Sequence, residues 1–174
     1  YNNSSIAAVV GAVSAAVGVG KTGVGVSIGA ALAFNNIGFD QSGDALPLEI
    51  QAYIIDSSIN AVGALTLDAE ASQRIDALVL AGSVAIAGGQ QGIAISGSGV
   101  FAFNKIGAEV DAYILGVANS GTDIIEAGRI ALHASDTSII NNIAGAASAA
   151  VGVGQVGVAV SIGAAVAINE ISTS

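Results

Sequence analysis

The sequence predicts an all-β protein, a β-solenoid-like stack of long Ala/Val/Gly strands with about 65–69 residues per repeat. Three observations predict it: a biased composition, an alternation of period two, and an internal repeat. Of the 174 residues, 53% are hydrophobic, only 4% are aromatic and only 10% are charged. The apolar residues are therefore mostly Ala, Val and Ile, and β-branched side chains of this kind favour a pleated sheet.

The clearest alternation runs from Gly23 to Asn35. Its even positions are Val24, Val26, Ile28, Ala30, Leu32 and Phe34, and its odd positions are Gly, Ser or Ala. Period two is typical of a strand, and several interior glycines would cost a helix up to about 1 kcal/mol each. Because both faces are apolar or small, the sequence predicts a strand that is buried on both sides.

Residues 5–19 form a second predicted strand, joined to the first by Gly20-Lys21-Thr22-Gly23. The same glycine pairing recurs twice further along the chain. The predicted turn glycines are Gly20, Gly23, Gly89, Gly92, Gly154 and Gly157. A turn with glycine at both ends indicates either a hairpin or a solenoid corner, and the sequence leaves both open.

The repeat is visible as a match of residues 11–37 to residues 145–171, where 20 of 27 positions are identical. A weaker middle copy spans residues 75–106. We therefore expect a single repeat-built domain over residues 1–174, with repeat one at 5–73, repeat two at 74–138 and a partial repeat three at 139–174. Asn35, Asn104 and Asn169 mark the same strand end in each copy, and we expect a structural turn or ladder role for them.

Each repeat adds two shorter predicted strands, around residues 50–55 and 64–71 in the first copy. Differences in repeat length fall in two segments, one holding Asp40, Asp44 and Pro47 and the other running from Gly116 to Gly128. Both are predicted to be surface loops on a constant scaffold.

Charge excludes several partners. The net charge is −9, from 13 acidic against 4 basic residues. An acidic surface repels phosphate backbones, so no nucleic-acid partner is expected, and neither is membrane insertion. The chain has no cysteine, which excludes a disulfide framework and a thiolate metal site.

No catalytic, cofactor-binding or metal-ligating residue is predicted. Gly20-Lys21-Thr22 ends like a phosphate-binding loop, but Ala15 stands where that loop needs glycine, and a strand follows instead of a helix. The single histidine, His133, has no partners at the spacing of a catalytic triad. The remaining alternative is calcium held by acidic loop residues, since calcium prefers several oxygen ligands in one loop. Those residues are Asp40, Asp44 and Glu49 in one loop and Asp123 and Glu126 in the other.

The Ala/Val/Gly strands that end in Ala33-Phe34-Asn35-Asn36-Ile37 or Ala167-Ile168-Asn169-Glu170-Ile171, with Ala-Tyr-Ile following the first two copies, resemble repeats of large bacterial surface proteins. The similar types are filamentous-haemagglutinin-like and leukotoxin-like exoproteins. The resemblance implies a secreted or cell-surface location, a long β-solenoid stalk and an adhesive or matrix role. It carries no catalytic residues.

The sequence thus predicts a non-catalytic structural subunit or stalk segment of an extracellular filament or adhesin. Its expected partners are identical copies joined head-to-tail, or neighbouring repeats of a longer chain, because the third repeat lacks the shorter strands and no polar cap closes either end. The predicted interface residues on the end strands are Ile6, Val9, Val13, Val160, Ile162, Val166 and Ile168. The alternatives are an outer-membrane β-barrel or membrane-associated β protein, which would need polar lumen faces and aromatic girdles, and a carbohydrate-active β-helix enzyme, which would need acids in one cleft.

Overall fold

The computed structural model describes residues 1–40, 42–116 and 125–174, and this part of the chain is all-β. It contains no helix, which confirms the all-β part of the predicted fold class. The strands are β1 (Ser5–Ile37), β2 (Leu48–Ile55), β3 (Ile59–Ala71), β4 (Arg74–Leu115), β5 (Ile125–Asp136), β6 (Ile139–Val153) and β7 (Val156–Thr173).

The strands pair in parallel around β4. On one side β4 pairs with β1, starting at Ser5 opposite Arg74, and with β2. On its other side it pairs with β6 and β7, starting at Arg74 opposite Ile139. A separate two-stranded sheet is formed by β3 and β5. The chain therefore places residues about 60–69 positions apart directly beside each other.

Within β1 the chain folds back on itself without antiparallel pairing. The first half, up to Gly20, and the second half, from Thr22, each pair with the matching half of β4. The two halves instead meet through side chains, as the Ser14 and Ser27 hydroxyls do at 2.8 Å. The first halves of β1 and β4 form one sheet with β6, and their second halves form a facing sheet with β7. The sequence leaves a hairpin and a solenoid corner open for this turn, and the structure has an arch between the two facing sheets and not a hairpin.

The core between these sheets consists of small side chains. Its central cluster comprises Ala31, Ala33, Val79, Ala81, Val100 and Ala102. Beside it lies a second cluster of Ala85, Ala87 and Ala94. Small residues let the two sheets approach closely while still packing at the density of a protein interior.

The predicted burial of the long strand on both sides is wrong for this chain. The small face of β1 is buried from Gly23 to Ala33, whereas the large face points outward. Val26 is 52% exposed, Ile28 73% and Phe34 64%. The physical reason is spacing, because sheets held this close leave room between them mainly for small side chains such as Gly, Ala and Ser.

The shorter strands β2 and β3 cover the end of the core that lies away from the arch. Ala69 and Ala71 of β3 pack against Ile50, Ala108 and Val110 in one cluster. The predicted short strands at 50–55 and 64–71 thus correspond to β2 and the second half of β3. Of the two predicted loops, the one with Asp40 and Asp44 is described, but most of the 116–128 segment, with Asp123, lies outside the described residues.

Candidate functional site

A row of asparagine amides runs across three neighbouring strands, at the end of the facing sheets that lies away from the arch. Asn35, Asn104 and Asn169 lie in register on β1, β4 and β7. Asn35 Nδ2 donates to Asn104 Oδ1 at 2.7 Å, and Asn104 Nδ2 donates to Asn169 Oδ1 at 2.8 Å. Each amide carries both a donor and an acceptor, so such a row can continue along the stacking direction for any number of layers.

A second polar row joins the two sheets, and sequence reasoning missed it. Three serine pairs, each separated by 13 residues, meet hydroxyl to hydroxyl across the interior. The pairs are Ser14 with Ser27 at 2.8 Å, Ser83 with Ser96 at 2.7 Å and Ser148 with Ser161 at 2.7 Å. The available signal was their common separation around the glycine-flanked turns, which places both serines at the same height of the arch.

The predicted turn glycines lie at the closed end of the arch. Gly20 is in register with Gly89, and Gly23 with Gly92 and Gly157. A Cβ at Gly92 would lie 2.8 Å from the Val153 carbonyl oxygen and 2.9 Å from that of Ala87, so backbones meet where a side chain would stand. A Cβ at Gly154 would lie still closer to neighbouring backbone, at the Gly89 carbonyl oxygen. Lys21 is exposed at this turn, and a strand follows it.

The predicted interface residues lie on edge strands, but their side chains point sideways. Val9 and Val13 project from the outer face of one sheet, where they are 80% and 89% exposed. Val160, Ile162, Val166 and Ile168 project from the outer face of the opposite sheet. Ile6 instead turns inward against the cluster of Ile37, Ile75 and Ile106. Because side chains stand perpendicular to a sheet, the ends of this stack present backbone groups and the outer faces present side chains.

Aromatic side chains also follow the register. The rings of Tyr53 and Tyr113 are stacked at 5.5 Å with an interplanar angle of 13°. Phe34 packs on Phe101 at 5.9 Å. Lys105 Nζ lies 5.0 Å from the ring centroid of Phe103 and 3.2 Å from Glu170 Oε2. This ion pair stands at the end of the outward-facing apolar side chains.

The described acidic loop uses its carboxylate internally. Asp40 Oδ1 accepts hydrogen bonds from the backbone N–H groups of Ser42 at 2.8 Å and Asp44 at 2.9 Å, which closes a tight turn. The Asp40 contacts are those of a structural loop. Glu49 and Glu126, which the sequence predicts to be loop residues, instead lie on β2 and β5, and Glu126 Oε2 accepts a hydrogen bond from Asn60 Nδ2 of β3 at 3.3 Å.

A different group of residues has the composition of a metal site. Asp68 and Glu70 on β3 and His133 on β5 bring three ligand atoms within 4.8 Å of one another, and all three residues are exposed. His133 Nδ1 lies 3.2 Å from Asp68 Oδ1. Of the described residues, these are the ones that could hold a metal ion, and cross-strand register alone accounts for their proximity, since Asp68 pairs with His133.

One ion pair shifts the pKa of its members. The Arg74 guanidinium makes two hydrogen bonds to Asp76, at 2.6 and 2.8 Å. The hydrogen bond from Arg74, together with one from Asn141, lowers the pKa of the Asp76 carboxyl, and the hydrogen bond to Asp76 raises the pKa of Arg74. Asp76 thus stays ionised to lower pH than a free aspartate.

The described part of the chain includes no helix long and apolar enough to cross a membrane. The described strands carry rows of like residues, open strand edges and apolar outer faces. Comparison of the chain with protein-family models, with curated proteins and with solved structures finds no match.

Proposed function

We propose that this chain is a structural segment of an extracellular filament or adhesin stalk, built as a β-solenoid of about 65–69 residues per turn and extended through its open sheet edges. The observation that carries the proposal is the in-register parallel pairing of β1 with β4 from Ser5–Arg74 to Ile37–Ile106. Pairing of this kind adds layers along one direction, and each added layer satisfies backbone groups that were exposed before.

The two open edges support the proposal because they lie on opposite sides of β4. Among the described residues, β1 pairs along its length with β4 alone, and so do β6 and β7. A second copy that placed its β1 on β6 and β7 would set residues 11–37 beside residues 145–171, of which 20 of 27 are identical. Like side chains would then stack on like, and the asparagine and serine rows would continue across the joint.

The same edges can receive a further stretch of one longer polypeptide, since the joint needs only a matching strand. Secretion, a bacterial source and an adhesive role follow from the resemblance to large surface exoproteins. An acidic chain with a net charge of −9 suits a stalk that must stay dissolved despite its apolar content.

The direct test is electron microscopy of the purified chain in plain buffer over a concentration series. We expect filaments whose subunits repeat about every 14 Å along the axis, because three strand layers at about 4.8 Å separate equivalent edges. A monodisperse monomer at high concentration would contradict self-assembly of this chain.

Proline at the β1 edge provides a sharper test of the joint. The backbone of Ser4 accepts from Arg74 N at 2.9 Å, and Asn2 N donates to Glu70 O at 3.0 Å, so even-numbered residues here bond toward β4. Odd-numbered residues such as Ala7 and Ala15 therefore point their N–H groups at the open edge. The double variant Ala7→Pro/Ala15→Pro removes donors that no strand within one copy uses.

We expect this double variant to stay folded by circular dichroism and to raise the concentration needed for filaments at least tenfold. The matched control is Ala7→Ser/Ala15→Ser, which retains both N–H groups and should form filaments like the parent chain. Equal filament formation by the proline and serine variants would show that the joint lies elsewhere.

A further inference from the structure

One outer face of the molecule carries a dense set of exposed aliphatic side chains. This surface, the valine face, consists of the outward residues on the first halves of β1 and β4 and on β6. Its large members are Val9, Val13, Val17, Val19, Leu78, Leu80, Val84, Ile86, Ile143, Val151 and Val153. On β1 the exposure ranges from 70% at Val17 to 89% at Val13.

The valine face carries no charge. Residues 9–19, 78–88 and 143–153, which supply its strands, contain no Asp, Glu, Lys or Arg. The first charges occur at its border, where Arg74 pairs with Asp76. Contiguous exposed apolar patches beyond a few hundred Å² are typical of interaction sites.

The surface of the valine face has a groove between two ridges. Gly11, Val13, Leu80, Gly82, Gly145 and Ala147 contribute to the lining of a shallow groove of about 540 Å³. One ridge beside the groove is the row Val9–Leu78–Ile143, and the other is the row Val17–Ile86–Val151. An aliphatic ridge such as the Val17–Ile86–Val151 row has the shape and chemistry to fill such a groove.

The area is sufficient for a stable contact. Eleven residues at about 3.3 Å along the strand and three strands at about 4.8 Å give about 500 Å² on one copy, and thus about 1,000 Å² for two. That total reaches the lower limit of about 1,000 Å² for a specific interface. Any further layer added along the stack would enlarge it.

We propose that the valine face pairs with the valine face of a second copy, the Val17–Ile86–Val151 ridge of each entering the groove of the other. The contact is isologous, since both copies use the same patch. It is independent of the edge-to-edge joint, because faces and edges point in perpendicular directions. A lipid surface is the poorer occupant, since the unpaired backbone of the β1 edge borders this face and would enter hydrocarbon unsatisfied.

The geometry places the two-fold axis at Val84. If Ile86 of one copy meets the groove residue Gly82 of the other, and the reverse holds by symmetry, the residue midway between them lies opposite itself. Because the chain has no cysteine, Val84→Cys would introduce a single thiol at that point. Sheets packed face to face lie about 10 Å apart, which is too far for a disulfide between opposing residues but brings two thiols that point at each other within reach of a short bismaleimide crosslinker. In an edge-to-edge filament, by contrast, the same thiols would be about 14 Å apart.

The test is treatment of single-cysteine variants with a bismaleimide crosslinker too short to span about 14 Å, read as covalent dimer on a denaturing gel. Val84→Cys is compared with Ile95→Cys, which lies on the same strand, points outward from the opposite face and is 43% exposed against 42% for Val84. We expect at least tenfold more dimer from Val84→Cys. Equal amounts from both, or none from either, would overturn the proposal.

A charge on the ridge should separate the copies. Added to Val84→Cys, Ile86→Glu is expected to reduce dimer formation at least tenfold, whereas Ile95→Glu should leave it unchanged, with circular dichroism confirming that both fold. Persistence of the dimer in Ile86→Glu would overturn the proposal. So would flotation of the parent chain with phosphatidylcholine vesicles that Ile86→Glu abolishes, since the face would then serve lipid.

Discussion

Asn104→Ala is expected to lower the free energy of unfolding by about 2–4 kcal/mol, since it breaks the asparagine row at its buried centre. Asn104 is fully buried, accepts from Asn35 at 2.7 Å and donates to Asn169 at 2.8 Å. Alanine would leave the Asn35 amide, itself only 8% exposed, without its acceptor. An unsatisfied buried polar group costs about 1–3 kcal/mol, and the small cavity adds to that.

The measurement is denaturant unfolding followed by circular dichroism, at a concentration where the chain does not associate. Asn169→Ala is the matched control, because the same amide chemistry is removed from an exposed position. Water can replace the lost partner there, so we expect a loss below about 1 kcal/mol. Equal losses in the two variants would mean that the row contributes through local strand geometry and not through its buried hydrogen bonds.

Gly25→Ala is expected to destabilise the chain by about 1–3 kcal/mol, because the added methyl group would stand too close to the facing backbone at Ile86, which would have to shift. A Cβ at Gly25 would stand 2.7 Å from the Ile86 carbonyl oxygen and 3.3 Å from the carbon of the same carbonyl. Both are backbone atoms, held by the parallel ladders of the facing sheet. They cannot rotate away as a flexible side chain would.

The control for this substitution is Gly99→Ala, another glycine within a long strand. A Cβ at Gly99 would meet no atom within 4 Å. Because alanine reduces the conformational freedom of the unfolded chain, we expect Gly99→Ala to be neutral or to stabilise by up to about 1 kcal/mol. If Gly25→Ala unfolds at the same denaturant concentration as Gly99→Ala, close approach of the sheets is not what limits this core.

Much of the strand arrangement follows from local sequence. Period-two alternation predicts the strand on both sides of Lys21, and the spacing of Asn35, Asn104 and Asn169 at 69 and 65 residues matches the pairing of β1, β4 and β7. These features are readable because side-chain alternation and like-residue spacing are properties of the chain itself. The serine pairs share a separation of 13 residues, but this separation predicts a contact only once the arch is known.

Only the tertiary structure decided which face of each strand is the core. Alternation distinguishes the Val24–Val26–Ile28 face of β1 from its Gly–Ser–Ala face, but hydrophobicity alone favours burying the larger one. The structure buries the smaller face, because the arch at Gly20–Gly23 brings two sheets so close that a Cβ at Gly25 would contact opposing backbone. The sequence by itself determined the strands, their period-two alternation and the spacing of equivalent residues, whereas the parallel pairing of the strands was decided by the structure. The distance between the sheets, which depends on residues far apart in the chain, determined what is inside and left the large aliphatic side chains on the surface.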